Sequence, residues 1–230
     1  MSESILLLNG SPRGRGSNTL LAANALIDGV REAIGGETRT LELNSLRISP
    51  CRGCFGCWDV TPGQCVIRDD MQTVYEAAAG AEIIVSSFPV YFFGMPGPMK
   101  TLTDRMLPMM KAYDGGPALH RVREAMKGKR FLFVSTCGFH TTEGIYEPLR
   151  AQLKAIFDPH TPPLVAIPQA ELMQVPQMRE IVAHRLNLLR ELGRQFAVGA
   201  MDEALLAEAQ KPLILERAYH RLVSMMRKDR

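Results

Sequence analysis

Residues 5–19 read ILLLNGSPRGRGSNT, an apolar run followed by a loop of Gly, Ser and Arg. The run shows no polar alternation, which predicts a strand buried on both faces, as in a parallel sheet. A helical pattern of apolar residues begins at Ser17 and stops at Gly35-Gly36. Backbone amides in such a loop, with the N-terminus of the helix, bind phosphate groups. The residues predicted to bind phosphate are Ser11, Arg13, Ser17, Asn18 and Thr19.

Other readings of this loop are less favoured. A P-loop requires Gly-Lys-Ser/Thr, and residues 10–19 contain no lysine. A dinucleotide fingerprint requires a further glycine three residues after Gly16, where Thr19 stands. The plainest alternative is a polar turn in which Ser17 only caps the helix.

The rest of the chain alternates strand and helix patterns. Further strands are predicted at 38–43, 81–88, 130–135 and 164–167. Helices are predicted from Asp69-Asp70, from about Pro98, at 144–157 and at 175–198. Five such repeats predict an α/β fold, a doubly wound five-stranded parallel sheet, with ligands at the carboxyl ends of its strands. This domain is expected to span residues 1–200, with residues 201–230 as a helical C-terminal extension.

Composition excludes several classes of protein. The formal net charge is only +3, and no basic stripe interleaved with aromatic residues suggests nucleic-acid binding. No run approaches the roughly 20 apolar residues of a membrane span. The N-terminus lacks the pattern of a secretory signal, and five cysteines is an odd number. We therefore expect a cytoplasmic protein with reduced thiols or metal-bound cysteines.

Four of the cysteines are concentrated in the loop at residues 45–68. Cys51, Cys54, Cys57 and Cys65 follow the pattern Cys-x2-Cys-x2-Cys-x7-Cys. Thiolates at this spacing can surround one cubic iron–sulfur cluster. A structural zinc ion is an alternative, although zinc usually takes its thiolates from two separated Cys-x2-Cys pairs. Four reduced thiols without metal are the third reading.

The loops resemble those of the NAD(P)H-dependent FMN reductase family, which has the flavodoxin-like fold. Gly10-Ser11-Pro12-Arg13 with Ser17-Asn18-Thr19 resembles its FMN-phosphate loop. Residues 89–97 resemble its flavin-ring loop, and Lys100 with Asp104-Arg105 matches the start of its next helix. The resemblance implies the strand order 2-1-3-4-5, FMN as cofactor and NAD(P)H as co-substrate. The flavin-ring residues that it implies are Pro89, Val90, Tyr91, Phe92, Thr136, Cys137 and Gly138.

The cysteine motif is similar to that of iron–sulfur flavoproteins, a branch of the same group. There it precedes a helix that starts Asp-Asp-Met, as Asp69-Asp70-Met71 does here. The resemblance implies a 4Fe-4S cluster, but the seven-residue final gap is at the long end for that branch and contains the turn Thr61-Pro62-Gly63.

Tyr91, Phe92 and Phe93 follow the strand-ending Pro89 without inside–outside alternation, so we expect them to wall a flavin ring. Ordinary core packing is the alternative. His140 lies in the loop after the fourth strand, where it is a candidate contact of flavin or substrate, whereas His184 and His220 are expected on helix surfaces. No side chain is assigned as a catalytic acid or base, because the cofactor carries the chemistry.

These patterns favour an FMN-dependent NAD(P)H oxidoreductase that passes electrons through the cluster. The alternative is a flavin electron carrier that docks to redox proteins, and a third reading is a thiol- or metal-based sensor. We also expect a homodimer or higher homo-oligomer, in which the insertion at 108–128, the cysteine loop and the tail pack near each flavin.

Overall fold

The computed structural model describes residues 4–111 and 121–228. Its strands are β1 (Ile5–Asn9), β2 (Thr38–Glu42), β3 (Ile83–Pro89), β4 (Met110–Lys111), β5 (Arg121–Val122), β6 (Arg130–Thr136) and β7 (Leu164–Ile167). Its helices are α1 (Asn18–Ile34), α2 (Gly56–Asp59), α3 (Met71–Gly80), α4 (Gly97–Arg105), α5 (Glu147–Phe157), α6 (Arg179–Ala197), α7 (Glu203–Ala209) and α8 (Glu216–Lys228).

The main sheet has the strand order β2-β1-β3-β6-β7, and all of its neighbouring strands are parallel. The predicted α/β fold is confirmed, with one difference in the numbering of the strands. The chain adds the short antiparallel pair β4–β5 outside the sheet, so the fourth and fifth sheet strands are β6 and β7. The chain leaves β1 for β2 on one side and reaches β3 on the other. The loops after β1 and β3 therefore border the crevice in which such sheets bind ligands.

Two hydrophobic layers cover the sheet because its strands bury both faces. Ile5 and Leu7 of β1 point toward α1 and α6, whereas Leu6 and Leu8 contribute to the layer of α3, α4 and α5. All five residues of β1 are buried, as its uninterrupted apolar run predicts. The loop after β1 therefore leaves a buried interior strand of the sheet.

Two predicted segments differ in detail from the structure. α6 begins at Arg179, later than the predicted Val175, because Pro176–Met178 form a separate 3₁₀ turn. The insertion predicted at 108–128 lies partly outside the described residues, and its described ends carry β4 and β5.

The C-terminal extension forms α7 and α8. No helix within residues 4–111 and 121–228 has the length and hydropathy to cross a membrane.

Candidate functional site

The loop after β1 gathers buried hydroxyl groups at the carboxyl edge of the sheet. Ser11, Ser17 and Thr19 are each 2% exposed. Ser17 is the N-cap of α1, where its Oγ accepts hydrogen bonds from the amides of Thr19 and Leu20 at 3.1 and 3.3 Å. The positive end of the α1 dipole thus lies beside a group of hydroxyl-bearing side chains, which favours a bound anion.

The backbone of this loop is largely bonded to itself. The amides of Gly14 and Ser17 donate to Ser11 and Gly14 carbonyls, and Gly14 has a φ of +52°. The side-chain amide of Asn18 donates to the carbonyl of Ala170, so it is directed away from the loop opening. Arg13 is exposed. A phosphate here would meet chiefly hydroxyl groups, the start of α1 and arginine side chains, rather than a row of free loop amides.

The loop after β3 presents aromatic side chains to solvent. Tyr91 and Gly94 exchange two backbone hydrogen bonds of 3.1 Å, while Phe92 and Phe93 have φ values of +46° and +65°. Positive φ at both central residues is the signature of a type I′ turn. Phe92 is 98% exposed, and Phe93 stacks on Phe139 with ring centroids 6.4 Å apart. These rings are not core residues, so the core-packing alternative is wrong.

The loop after β6 joins the other two loops. The hydroxyl groups of Thr136 and Thr19 are 2.5 Å apart, and the Thr136 carbonyl accepts from the amide of Val90 at 2.8 Å. Cys137 is buried, and burial raises the pKa of its thiol, which agrees with a packing role. Gly138 approaches Glu171 so closely that an added Cβ would lie 2.5 Å from a carboxylate oxygen. The residues predicted for phosphate and ring binding therefore occupy adjoining loops.

The four cysteines of the predicted metal site line one small cavity, together with Arg105 and Leu107. Cys51 and Cys54 are exposed, Cys57 is buried and Cys65 is half-buried. All four lie in the described part of the chain, where no three of their sulfur atoms come within 4.8 Å of one another. One zinc ion would hold thiolates about 3.8 Å apart, given its 2.3 Å bonds and tetrahedral angles. A cubic cluster holds its thiolates farther apart because four irons stand between them.

A buried ion pair fixes both ends of the cysteine loop. Arg105 is 1% exposed and donates to Asp69 at 2.8 and 3.0 Å, and to the carbonyl of Ser49 at 2.7 Å. Burial alone would raise the pKa of Asp69, but the hydrogen bonds from Arg105 and from the amides of Ser49 and Met71 lower it to about 2. Sequence pattern alone does not predict this structural role, because the two partners lie 36 residues apart in the chain.

A second contact links the cysteine loop to the segment after α4. The indole N–H of Trp58 donates to the carbonyls of Leu107 and Met110, both at 3.2 Å. Burial, and then the neighbouring Cys65, raise the pKa of the Cys57 thiol. Asn44, just after β2, donates to the carbonyl of Ser11 at 2.6 Å, which ties the segment leading to the cysteines to the phosphate loop.

The fold and these loops define a flavodoxin-like protein with a Gly/Ser loop at the switch point of its sheet. The family model described as NADPH-dependent FMN reductase matches residues 4–171. The chain therefore belongs to this family.

Curated relatives match part of the chain. The chain is 35% identical over 105 residues to an iron-sulfur flavoprotein of Methanocaldococcus jannaschii, covering 46% of this chain and 52% of the relative. It is 36% identical over 98 residues to an iron-sulfur flavoprotein of Methanosarcina thermophila, covering 43% and 49% of the two chains. The chain thus spans about half the length of these relatives.

Solved structures share the fold at low identity. The NAD(P)H:quinone oxidoreductase of Methanothermobacter marburgensis superposes with a TM-score of 0.65 at 16% identity, over 85% of this chain and all of the other. An FMN-dependent NADH-azoreductase of Bacillus anthracis, solved with FMN, gives 0.58 at 16% identity, over 85% and 99%.

Proposed function

We propose that the protein is an FMN-dependent NAD(P)H oxidoreductase. The observation that carries this proposal is the cluster of buried hydroxyl groups, Ser11, Ser17 and Thr19, at the N-terminus of α1. The Oγ atoms of Ser11 and Ser17 accept hydrogen bonds from backbone amides, which leaves the O–H of each available to donate to a phosphate oxygen. Arg13 would add a charge-assisted hydrogen bond, and the backbone amide of Asn18, at the start of α1, another.

The flavin ring would lie against the adjoining loops. Pro89 and Val90 lead into the exposed turn of Tyr91 and Phe92, and residues 136–138 stand opposite. When bound, FMN accepts two electrons from NAD(P)H and releases them together or singly. The protein side would bind and orient the ring and exclude water from it, and no side chain need act as an acid or base.

We further propose that Cys51, Cys54, Cys57 and Cys65 hold a 4Fe-4S cluster. Support comes from the relatives named iron-sulfur flavoproteins and from the one cavity that all four cysteines line. When bound, a cluster exchanges single electrons. Arg105 lines the same cavity, and its positive charge would offset the negative charge of the thiolates.

FMN binding is tested by fluorescence titration of the flavin-free protein. Arg13→Ala combined with Ser17→Ala should weaken FMN binding at least ten-fold, because charge-assisted hydrogen bonds contribute about 1.5–3 kcal/mol each. Arg39→Ala, an exposed arginine on β2, is the matched control and should bind FMN as the wild type does. Unchanged FMN affinity in the double variant would contradict the assignment of the loop.

One assay distinguishes the proposed enzyme from the alternative, a flavin electron carrier. The FMN-loaded protein should oxidise NADH or NADPH under anaerobic conditions, with bleaching of the flavin absorbance. If neither nucleotide bleaches the flavin but dithionite does, the electron-carrier alternative replaces the enzyme.

The cluster is tested by anaerobic reconstitution with iron and sulfide. The wild type should take up about four irons per chain and gain a broad visible absorbance. Cys65→Ser should lose both, whereas Cys137→Ser, which changes the remaining cysteine, should keep them. Equal iron and sulfide content in the Cys65→Ser variant would refute the proposal.

We also propose a homodimer, because an exposed aromatic group at Tyr91, Phe92, Phe93 and Phe139 suits an interface between copies better than contact with water. Light scattering at micromolar concentration tests this directly. A monomer mass would contradict it.

A further inference from the structure

Three metal-ligating side chains meet outside the site described above. His140, in the loop after β6, lies beside Glu216 and His220 of α8, with one ligand atom of each within 4.8 Å of the others. No other trio of His, Cys, Asp or Glu meets that separation in residues 4–111 and 121–228. Glu216 and His220 are four residues apart, so they share one face of the helix.

The separations fit a metal site better than direct hydrogen bonds. The Nε2 atoms of His140 and His220 each lie 3.5 Å from the same Oε1 of Glu216. That exceeds the range of about 2.7–3.2 Å for an N–H···O hydrogen bond. Ligand atoms around a tetrahedral zinc ion lie about 3.4 Å apart, because each is about 2.0–2.1 Å from the metal. Two of the three separations therefore match those around such an ion, and the third, between the two histidines, is within 4.8 Å.

Other contacts hold this trio in place without a metal. Tyr219, 3% exposed, donates its hydroxyl to the carbonyl of Gly138 at 2.7 Å and lies 3.0 Å from Glu171. Gln169 and Ile214 exchange two hydrogen bonds of 2.8 and 3.0 Å just before α8. The helix and the loop are thus docked by buried groups next to the ligands, so the three side chains lie near one another before a metal binds.

We propose that His140, Glu216 and His220 form a zinc site that fastens α8 to the loop after β6. Two imidazoles and one carboxylate are a ligand set that zinc uses, with a fourth position for water. The ligand side chains are 36%, 59% and 61% exposed, so water reaches that position. Magnesium and calcium prefer all-oxygen sites and should not compete. This proposal does not depend on flavin binding.

The test must separate this site from the cysteines, because thiolates are also zinc ligands. We therefore choose a local measurement, amide hydrogen exchange of residues 216–226 in the full-length reduced protein, with and without ZnCl2. Zinc should slow exchange in the wild type and in His184→Ala, a control histidine exposed on α6. In His220→Ala zinc should have no such effect, and MgCl2 should have none in any variant.

Zinc content provides a second readout. After dialysis at a fixed free zinc concentration, His220→Ala should hold one ion fewer per chain than wild type or His184→Ala. Its zinc affinity at this site should fall at least about 100-fold, since even the loss of an outer partner of a ligand costs 10–100-fold. Equal zinc content, or equal slowing of exchange in His220→Ala, would overturn the proposal. The variant changes an exposed side chain, and circular dichroism verifies its fold.

Discussion

α1 and α6 cross so closely that adding one methyl group at the crossing tests the contact between their backbones. A Cβ added at Gly193 would lie 1.9 Å from the carbonyl oxygen of Leu26, and one added at Gly29 would lie 1.8 Å from that of Arg190. Carbon and oxygen atoms in a close but relaxed contact are about 3.3–3.6 Å apart. The change Gly193→Ala must therefore push two helices apart by more than an ångström, against backbone that cannot rotate away.

Two effects of opposite sign decide the magnitude. Alanine stabilises an open helix position by about 1 kcal/mol relative to glycine. Overpacking costs about 1–3 kcal/mol, and backbone clashes belong to its upper range. We expect a net loss of about 2 kcal/mol, which lowers Tm by about 4–8 °C in a chain of this size.

Thermal unfolding followed by circular dichroism measures this loss. Gly80→Ala is the matched control, because a Cβ at that helix position meets nothing within 4 Å, and its Tm should stay level or rise. Adding Gly29→Ala to Gly193→Ala should cost less than the sum, since the helices have already separated. A Gly193→Ala protein as stable as the wild type would refute the backbone-contact argument.

Two further predictions concern the cysteine loop. The folded pKa of Asp69 is about 2, below its usual value near 3.9, so its contribution to stability is present above pH 4 and lost as pH falls toward 2. Urea unfolding should therefore show that the wild type is more stable than Asp69→Asn by about 2 kcal/mol at pH 6, and that this difference shrinks below pH 4. A difference that does not change with pH would contradict the pairing with Arg105. In the metal-free reduced protein, iodoacetamide should alkylate exposed Cys51 and Cys54 well before Cys57, which is buried and has a raised pKa. Peptide mass spectrometry measures the order of alkylation. Equal rates at the three cysteines would contradict the burial of Cys57.

The local pattern of apolar and polar residues predicts the strands of the sheet well, but it does not predict which distant residues come into contact. β1 and the loop after it were readable because an apolar run buried on both faces and a Gly/Ser loop are local signals. The Asp69–Arg105 pair and the meeting of His140 with α8 depend on how distant elements pack, which no spacing reveals. The i, i+4 spacing of Glu216 and His220 is visible in the sequence, but it indicates a metal site only together with the packing of α8 beside His140.

The turn at Tyr91–Gly94 went unpredicted because its central residues oppose local preference. Type I′ turns favour Asn-Gly, whereas here Phe92 and Phe93 hold positive φ values. A left-handed conformation costs an ordinary residue about 1–2 kcal/mol, and Phe92, 98% exposed, recovers almost nothing by burial. Strain retained at an exposed ring suggests that the ring is used for binding.

Phe92→Asn tests that reasoning with two measurements. Asparagine tolerates the left-handed region and adds less chain freedom than glycine, so the variant should gain about 0.5–1 kcal/mol, or about 1–4 °C in Tm. The same variant should lose FMN affinity or self-association, measured by flavin titration and light scattering, if the ring serves the flavin or a second copy. Tyr91→Asn, at a turn position without positive φ, is the control for loss of an aromatic ring, and it should not gain stability. A Phe92→Asn protein that is no more stable would show that the turn carries no strain. One that is more stable, yet binds FMN and assembles unchanged, would show that the ring has no part in either.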